Sequence, residues 1–199
     1  MKAPRLLLGF VLTLLTSTTP ILADDAIQTW GLDIELLGYG SSFGGSYTFQ
    51  PKPQLRFSAE SDWTLVQSNE TISFYNYWYE PVQVNPKNLS LLKLLGDVTY
   101  FPFLNSMHPS LQIGFFAAAG PILALDTPND EPFIERWGKV ESHLSLHGRL
   151  GVHLRTRTAR GSNYVFRVGY DFARFDEPLD DRQTYSGAYV QAGFEFFRR

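Results

Sequence analysis

Of the four histidines in the chain, His143, His147 and His153 fall in one short stretch, and His143-Leu144-Ser145 sets an imidazole two residues from a hydroxyl. A base beside a hydroxyl nucleophile is the arrangement that acyl transfer uses. Such a pair needs an orienting carboxylate, and none lies between Leu146 and Gly161. By strand parity, His143 and Ser145 also point inward with the polar residues that follow them. His143 and His147 share a strand face about 13 Å apart, too far to hold one ion. The acids Asp126, Asp130 and Glu131, and Asp176, Glu177, Asp180 and Asp181, read as solvated loop tips. Gly38-Tyr39-Gly40 and Gly44-Gly45 lack the following helix that a phosphate loop requires. With no cysteine, the chain forms no disulfide, thiolate-metal site or thiol nucleophile. The sequence thus assigns no catalytic residue, metal or cofactor, and the chain is expected not to be an enzyme.

Whatever these residues do, strands must position them. Apolar residues recur at period two over most of the chain, the spacing that places side chains on alternate faces of a sheet. Ala188, Val190, Ala192, Phe194 and Phe196 oppose Tyr189, Gln191 and Glu195. Tyr164, Phe166, Val168, Tyr170 and Phe172 oppose Arg167 and Asp171, and Leu144 to Leu154 opposes His147, Arg149, His153 and Arg155. Similar alternation runs over Trp30–Leu36, Leu55–Leu65, Leu89–Tyr100 and Leu111–Leu123, and less regularly over Thr71–Tyr79, where Asn76 interrupts Ile72, Phe74 and Trp78. These eight candidate strands are long for a soluble sheet. Long or polar connections are expected near 40–52, 80–88, 125–139 and 175–184, short ones near 67–70 and 158–162, and an intermediate one over Pro102–Pro109. Long loops at one end and short turns at the other characterise outer-membrane barrels.

The polar faces collect seven acids (Asp33, Glu35, Glu60, Asp62, Asp97, Asp171, Glu195) and six bases (Arg56, Lys93, Arg149, Arg155, Arg157, Arg167). A near-balanced set suits an interior network, joined by His147 and His153, because charges removed from water need opposite partners. An eight-stranded barrel is just wide enough for side chains to fill it. In a soluble ligand-binding barrel the same alternation would instead turn the apolar face inward. Strand length, loop asymmetry and aromatics near strand ends (Trp30, Trp63, Trp78, Tyr79, Tyr100, Phe101, Tyr164, Phe172, Phe196, Phe197) favour the membrane.

Lys2 and Arg5, the apolar run Leu6–Leu15 and Ile21-Leu22-Ala23 have the pattern of a secretory signal peptide over residues 1–23. Residues 24–199 are then the exported barrel domain. The chain has 199 residues and a net charge of −3, which excludes the basic surface that nucleic-acid binding demands.

The signal-like segment, the alternating segments and the terminal Tyr189-Val-Gln-Ala-Gly-Phe-Glu-Phe-Phe197 resemble small outer-membrane β-barrel proteins of the OmpA/OmpX-like kind. That resemblance implies an all-β, eight-stranded, antiparallel up-and-down transmembrane barrel in a Gram-negative-type outer membrane. It also implies contact with outer-membrane lipids and with the barrel-assembly machinery during biogenesis. Members end in an aromatic residue, whereas here Arg198-Arg199 follow Phe197. The role expected is structural or surface-interacting, with at most a narrow pore. His143-Leu144-Ser145 is similar to the His-x-Ser arrangement of outer-membrane lipid A deacylases, so a lipid-modifying hydrolase is the alternative; a soluble lipocalin-like barrel is another.

Overall fold

A computed structural model describes residues 27–67, 72–75, 77–79, 81–84, 87–103, 110–128, 140–157, 162–180 and 182–197. The segment 1–23 lies outside them. Ten strands follow in order: β1 Ile27–Leu37, β2 Gly40–Lys52, β3 Leu55–Val66, β4 Ile72–Tyr75, β5 Pro81–Val84, β6 Lys87–Tyr100, β7 Leu111–Pro128, β8 Glu141–Arg157, β9 Asn163–Leu179 and β10 Arg182–Phe197. Eight of them form a closed antiparallel barrel in the order β1-β10-β9-β8-β7-β6-β3-β2, and β4 pairs only with β5. Each barrel strand neighbours the strands before and after it in the ring, the up-and-down topology expected from the alternation. Closure comes from β1 pairing with β10, from Thr29↔Phe197 to Leu37↔Tyr189.

Two assignments along the chain are corrected. Residues 40–52, expected to be a loop, form β2. Its inward residues are Ser42, Gly44, Ser46, Thr48 and Gln50; Phe43, Tyr47 and Phe49 take the outward parity. Small and polar residues gave this strand the composition of a loop. Conversely, the Thr71–Tyr79 segment supplies no barrel strand: β4 closes on β5 in a separate two-stranded sheet. The connections change accordingly. The β1–β2 and β2–β3 turns are two residues each, β7 runs into the region expected as a loop near 125–139 as far as Pro128, and β9 and β10 occupy most of 175–184. Asp176 and Glu177 therefore lie on β9, while Asp180 takes a left-handed turn conformation with φ of 50° that aspartate tolerates. Asp130, Glu131 and Asp181 lie outside the described residues.

The barrel turns its apolar parity outward. Leu32, Ile34 and Leu36 are 64%, 63% and 67% exposed, and Leu150 and Val152 also face out. Outward aromatics meet in ring contacts, with Trp30 and Tyr47 centroids 4.8 Å apart and Tyr164 and Phe194 5.2 Å apart. Phe101 departs from the expected aromatic rim: it is buried inside, its ring 5.4 Å from that of His153.

The interior is layered. At the end nearest the β1–β2 and β9–β10 turns, Tyr39, Leu89, Leu91, Ile122, Ala124, Phe175, Leu179 and Tyr185 form a buried apolar plug. Burying these side chains stabilises the end of the barrel by roughly 1.5–3 kcal/mol for each large residue. Sorting charges by parity does not reveal the plug, because it leaves open where an inward face turns apolar.

Candidate functional site

Below the plug the lumen is filled by side chains of opposite charge, arranged in two tiers. In the upper tier Arg149 on β8 reaches across to Glu35 on β1. Its Nη1 and Nη2 donate to the two carboxylate oxygens at 2.5 and 2.8 Å, a bidentate fork. Nη1 also donates to Asp62 on β3 at 3.1 Å, and Nη2 stands 3.6 Å from Asp171 on β9. Lys93 on β6 lies 3.2 Å from Asp171 and 3.8 Å from Glu35. Tyr39 donates its hydroxyl to Asp171 at 3.0 Å, and His147 is hydrogen-bonded to the other oxygen of that carboxylate. The guanidinium of Arg149 lies 4.9 Å from the Tyr189 ring centre, a cation–π contact out of reach of water.

In the lower tier Arg167 on β9 pairs with Glu60 on β3 at 2.5 Å and approaches Asp97 on β6 to 3.5 Å. Strands β9 and β3 stand opposite each other in the ring, so this pair crosses the whole lumen. Arg167 also donates to His153 Nδ1 at 2.9 Å. Arg56 pairs with Glu195 at 2.5 Å and donates to Thr48 at 2.9 Å. Glu195 further accepts from Asn163 at 3.1 Å and stands 3.4 Å from Arg155, which donates to Gln50 at 2.9 Å.

Of the charged and histidine residues selected by parity, Glu35, Arg56, Glu60, Asp62, Lys93, Asp97, His147, Arg149, His153, Arg155, Arg167, Asp171 and Glu195 are buried. Asp33 is half-buried. Arg157 is corrected: it is exposed at the rim, over the Phe197 ring at 5.7 Å, because β8 ends there. Sequence reasoning missed the neutral partners Tyr39, Thr48, Gln50, Asn163 and Tyr189, whose contacts come from strands distant in sequence. It also missed Gly44. The pairings Asp33↔Gly44 and Gly44↔Asp62 flank this glycine with two acids. A Cβ at Gly44 would lie 2.1 Å from Asp62 Oδ1 and 3.1 Å from Asp33 Oδ1, so the absent side chain is the space the carboxylates occupy. Oxygens of Asp33, Glu35 and Asp62 fall within 4.8 Å of one another, but Arg149 already engages Glu35 and Asp62.

The His143-Leu144-Ser145 segment lies at a seam in the wall. Strand β8 pairs with β9 only as far up as Leu146↔Arg174, while its upper part continues along β7 to Glu141. An outer cleft of about 620 Å³ opens beside this break, lined in part by Leu144, Leu146, Phe172 and Arg174. The carboxylate missing downstream in sequence is supplied across the strands, with Glu177 Oε2 3.9 Å from His143 Nδ1. Ser145, however, donates its hydroxyl to the Arg174 carbonyl, and no hydrogen bond joins it to His143 among the described residues. A hydroxyl committed to a backbone carbonyl is not activated by a neighbouring base.

No family model matches the chain, and no curated protein matches it in sequence. Solved structures do. A major outer membrane protein from Thermus thermophilus is similar with a TM-score of 0.51 and 10% identity, over 85% of this chain and 99% of that one. Ail, the attachment invasion locus protein of Yersinia pestis, matches with a TM-score of 0.43 and 11% identity, over 86% and 97% of the two chains. Neisserial surface protein A gives 0.45 and 12%, over 85% and 94%. The chain has the fold of the small eight-stranded outer-membrane barrels.

Proposed function

We propose that this chain is an integral outer-membrane protein of the cell envelope, non-enzymatic, whose lumen is sealed and whose role is structural or surface-interacting. The observation that carries this reading is the direction of the two faces. A soluble ligand-binding barrel would place Leu32, Ile34, Leu150 and Val152 inside, whereas here they face out and Arg149 lies inside at 2% exposure. An apolar surface running round the barrel is stable in hydrocarbon and not in water. In the proposed orientation the termini and the β2–β3 and β8–β9 connections face the periplasm, and the β4–β5 hairpin faces outward from the cell. The lipids of the membrane and the assembly machinery that inserts barrels are its proposed partners, together with surface molecules reached by the loops.

Two measurements test the reading. In bilayers with brominated acyl chains, the emission of Trp30 and Trp63 is expected to be quenched, and unquenched emission would overturn the membrane assignment. In planar bilayers the protein is expected to give no single-channel steps, since Arg167–Glu60 and the apolar plug obstruct the lumen; regular steps would overturn the sealed lumen. The hydrolase alternative predicts deacylated lipid A in cells overexpressing the protein, lost in His143→Ala. Intact lipid A is the expected result, given the bond between Ser145 and Arg174.

A further inference from the structure

At the end opposite the plug, the lumen opens into a cavity of about 480 Å³. Arg155 stands at its floor, Lys52 and Arg157 at its rim, and Ile27 and Phe197 supply an apolar wall. No acidic side chain is among the described residues lining it. The charge balance behind it is uneven. Arg167 pairs with Glu60 and Asp97, Arg56 and Arg155 share Glu195, and neither Lys52 nor Arg157 has a carboxylate partner among the described residues. Several cations converging on a concave, partly desolvated cup raise the local concentration of anions. Among the described residues the apolar plug closes the other end, and the cup opens beside the β2–β3 turn.

We propose that this cup is an anion site that holds a phosphate- or carboxylate-bearing molecule from the periplasmic side, through Lys52, Arg155 and Arg157. Arg155, held by Gln50 and Glu195, presents a fixed guanidinium, and the Phe197 ring steadies Arg157. The shared chemistry is an anionic oxygen group, carried either by a small solute or by a phospholipid headgroup.

The direction of entry rests on the proposed orientation; binding itself does not. Titrating the full exported chain in zwitterionic detergent with pyrophosphate, followed by calorimetry, is expected to show saturable binding that weakens as salt rises. Lys52→Gln and Arg157→Gln, both at exposed rim positions, are each expected to weaken it about tenfold. Their folding is checked by heat-modifiable mobility on a gel. No saturable binding by the unaltered chain, or unchanged affinity in the double variant, would overturn the proposal. Repeating the titration in phosphatidylcholine nanodiscs with and without phosphatidylglycerol separates the sources: competition by the anionic lipid assigns the headgroup, and its absence assigns the solute. Orientation is tested apart, by labelling Lys52→Cys in cells with an impermeant maleimide. Labelling of intact cells would reverse the direction of entry and leave the binding result standing.

Discussion

Arg149 is the residue on which the upper tier depends. It neutralises Glu35 by two parallel bonds and touches Asp62 and Asp171 besides. Removing one partner of a buried ion pair costs about 3–5 kcal/mol, because the other partner is left charged and unsolvated. Arg149→Ala is therefore expected to lower unfolding stability in lipid vesicles by about that amount, read from the urea midpoint. Lys52→Ala, at the exposed rim, serves as the control and is expected to leave the midpoint unchanged. Parity alone identifies most of these interior charges, since an inward position follows from counting by two. Their partners are not legible in the same way. Glu35 and Arg149 are 114 residues apart, and only the ring order brings them together. The sequence likewise does not show that Glu177, from the neighbouring strand, approaches His143.

At the scale of elements, β2 and the β4–β5 hairpin exchange the roles that composition suggests for them. The run Gly40-Ser-Ser-Phe-Gly-Gly-Ser reads as loop because glycine and serine weaken the alternation, yet those small residues leave room for Asp33 and Asp62. Ile72-Ser-Phe-Tyr75 alternates well, but four residues cannot cross a membrane. Its pairing is satisfied by β5, outside the barrel. Opposite outcomes are expected from altering the two. Replacing residues 70–85 with a short Gly-Ser turn should leave heat-modifiable mobility and the urea midpoint unchanged. Tyr47→Pro in β2 removes a ladder donor within the closed sheet, and that variant is expected to lose the folded, heat-modifiable form.

For the whole molecule, the number of strands agrees only because the missed β2 is offset by the Thr71–Tyr79 segment counted in its place. The inward direction of charge is read from strand length and end aromatics, since the period-two pattern fits either direction. The layering of the interior is not legible. It depends on which inward residues share a level, and Leu91, Ile122 and Phe175 meet only once the registers are set. The outer surface gives the prediction proper to this scale. On the proposed membrane reading, Leu32→Arg places a charge on the lipid face, where the cost is about 2–4 kcal/mol near the bilayer midplane. The variant is expected to fold in micelles but to lose that much stability in bilayers, compared by denaturant titration. An unchanged bilayer midpoint would contradict a lipid-facing β1.

Under the proposed membrane location, the long-range pairs bear on how such a chain inserts. Arg149–Glu35, Arg167–Glu60 and Arg56–Glu195 each tie a strand from the first three to one from the last three. A sheet that has not yet curled shut would present these groups singly, and hydrocarbon penalises a single charge heavily. Curling and insertion are thereby coupled: the ionic lock engages only when the first and last strands meet, and a half-assembled sheet has no comfortable place in the bilayer.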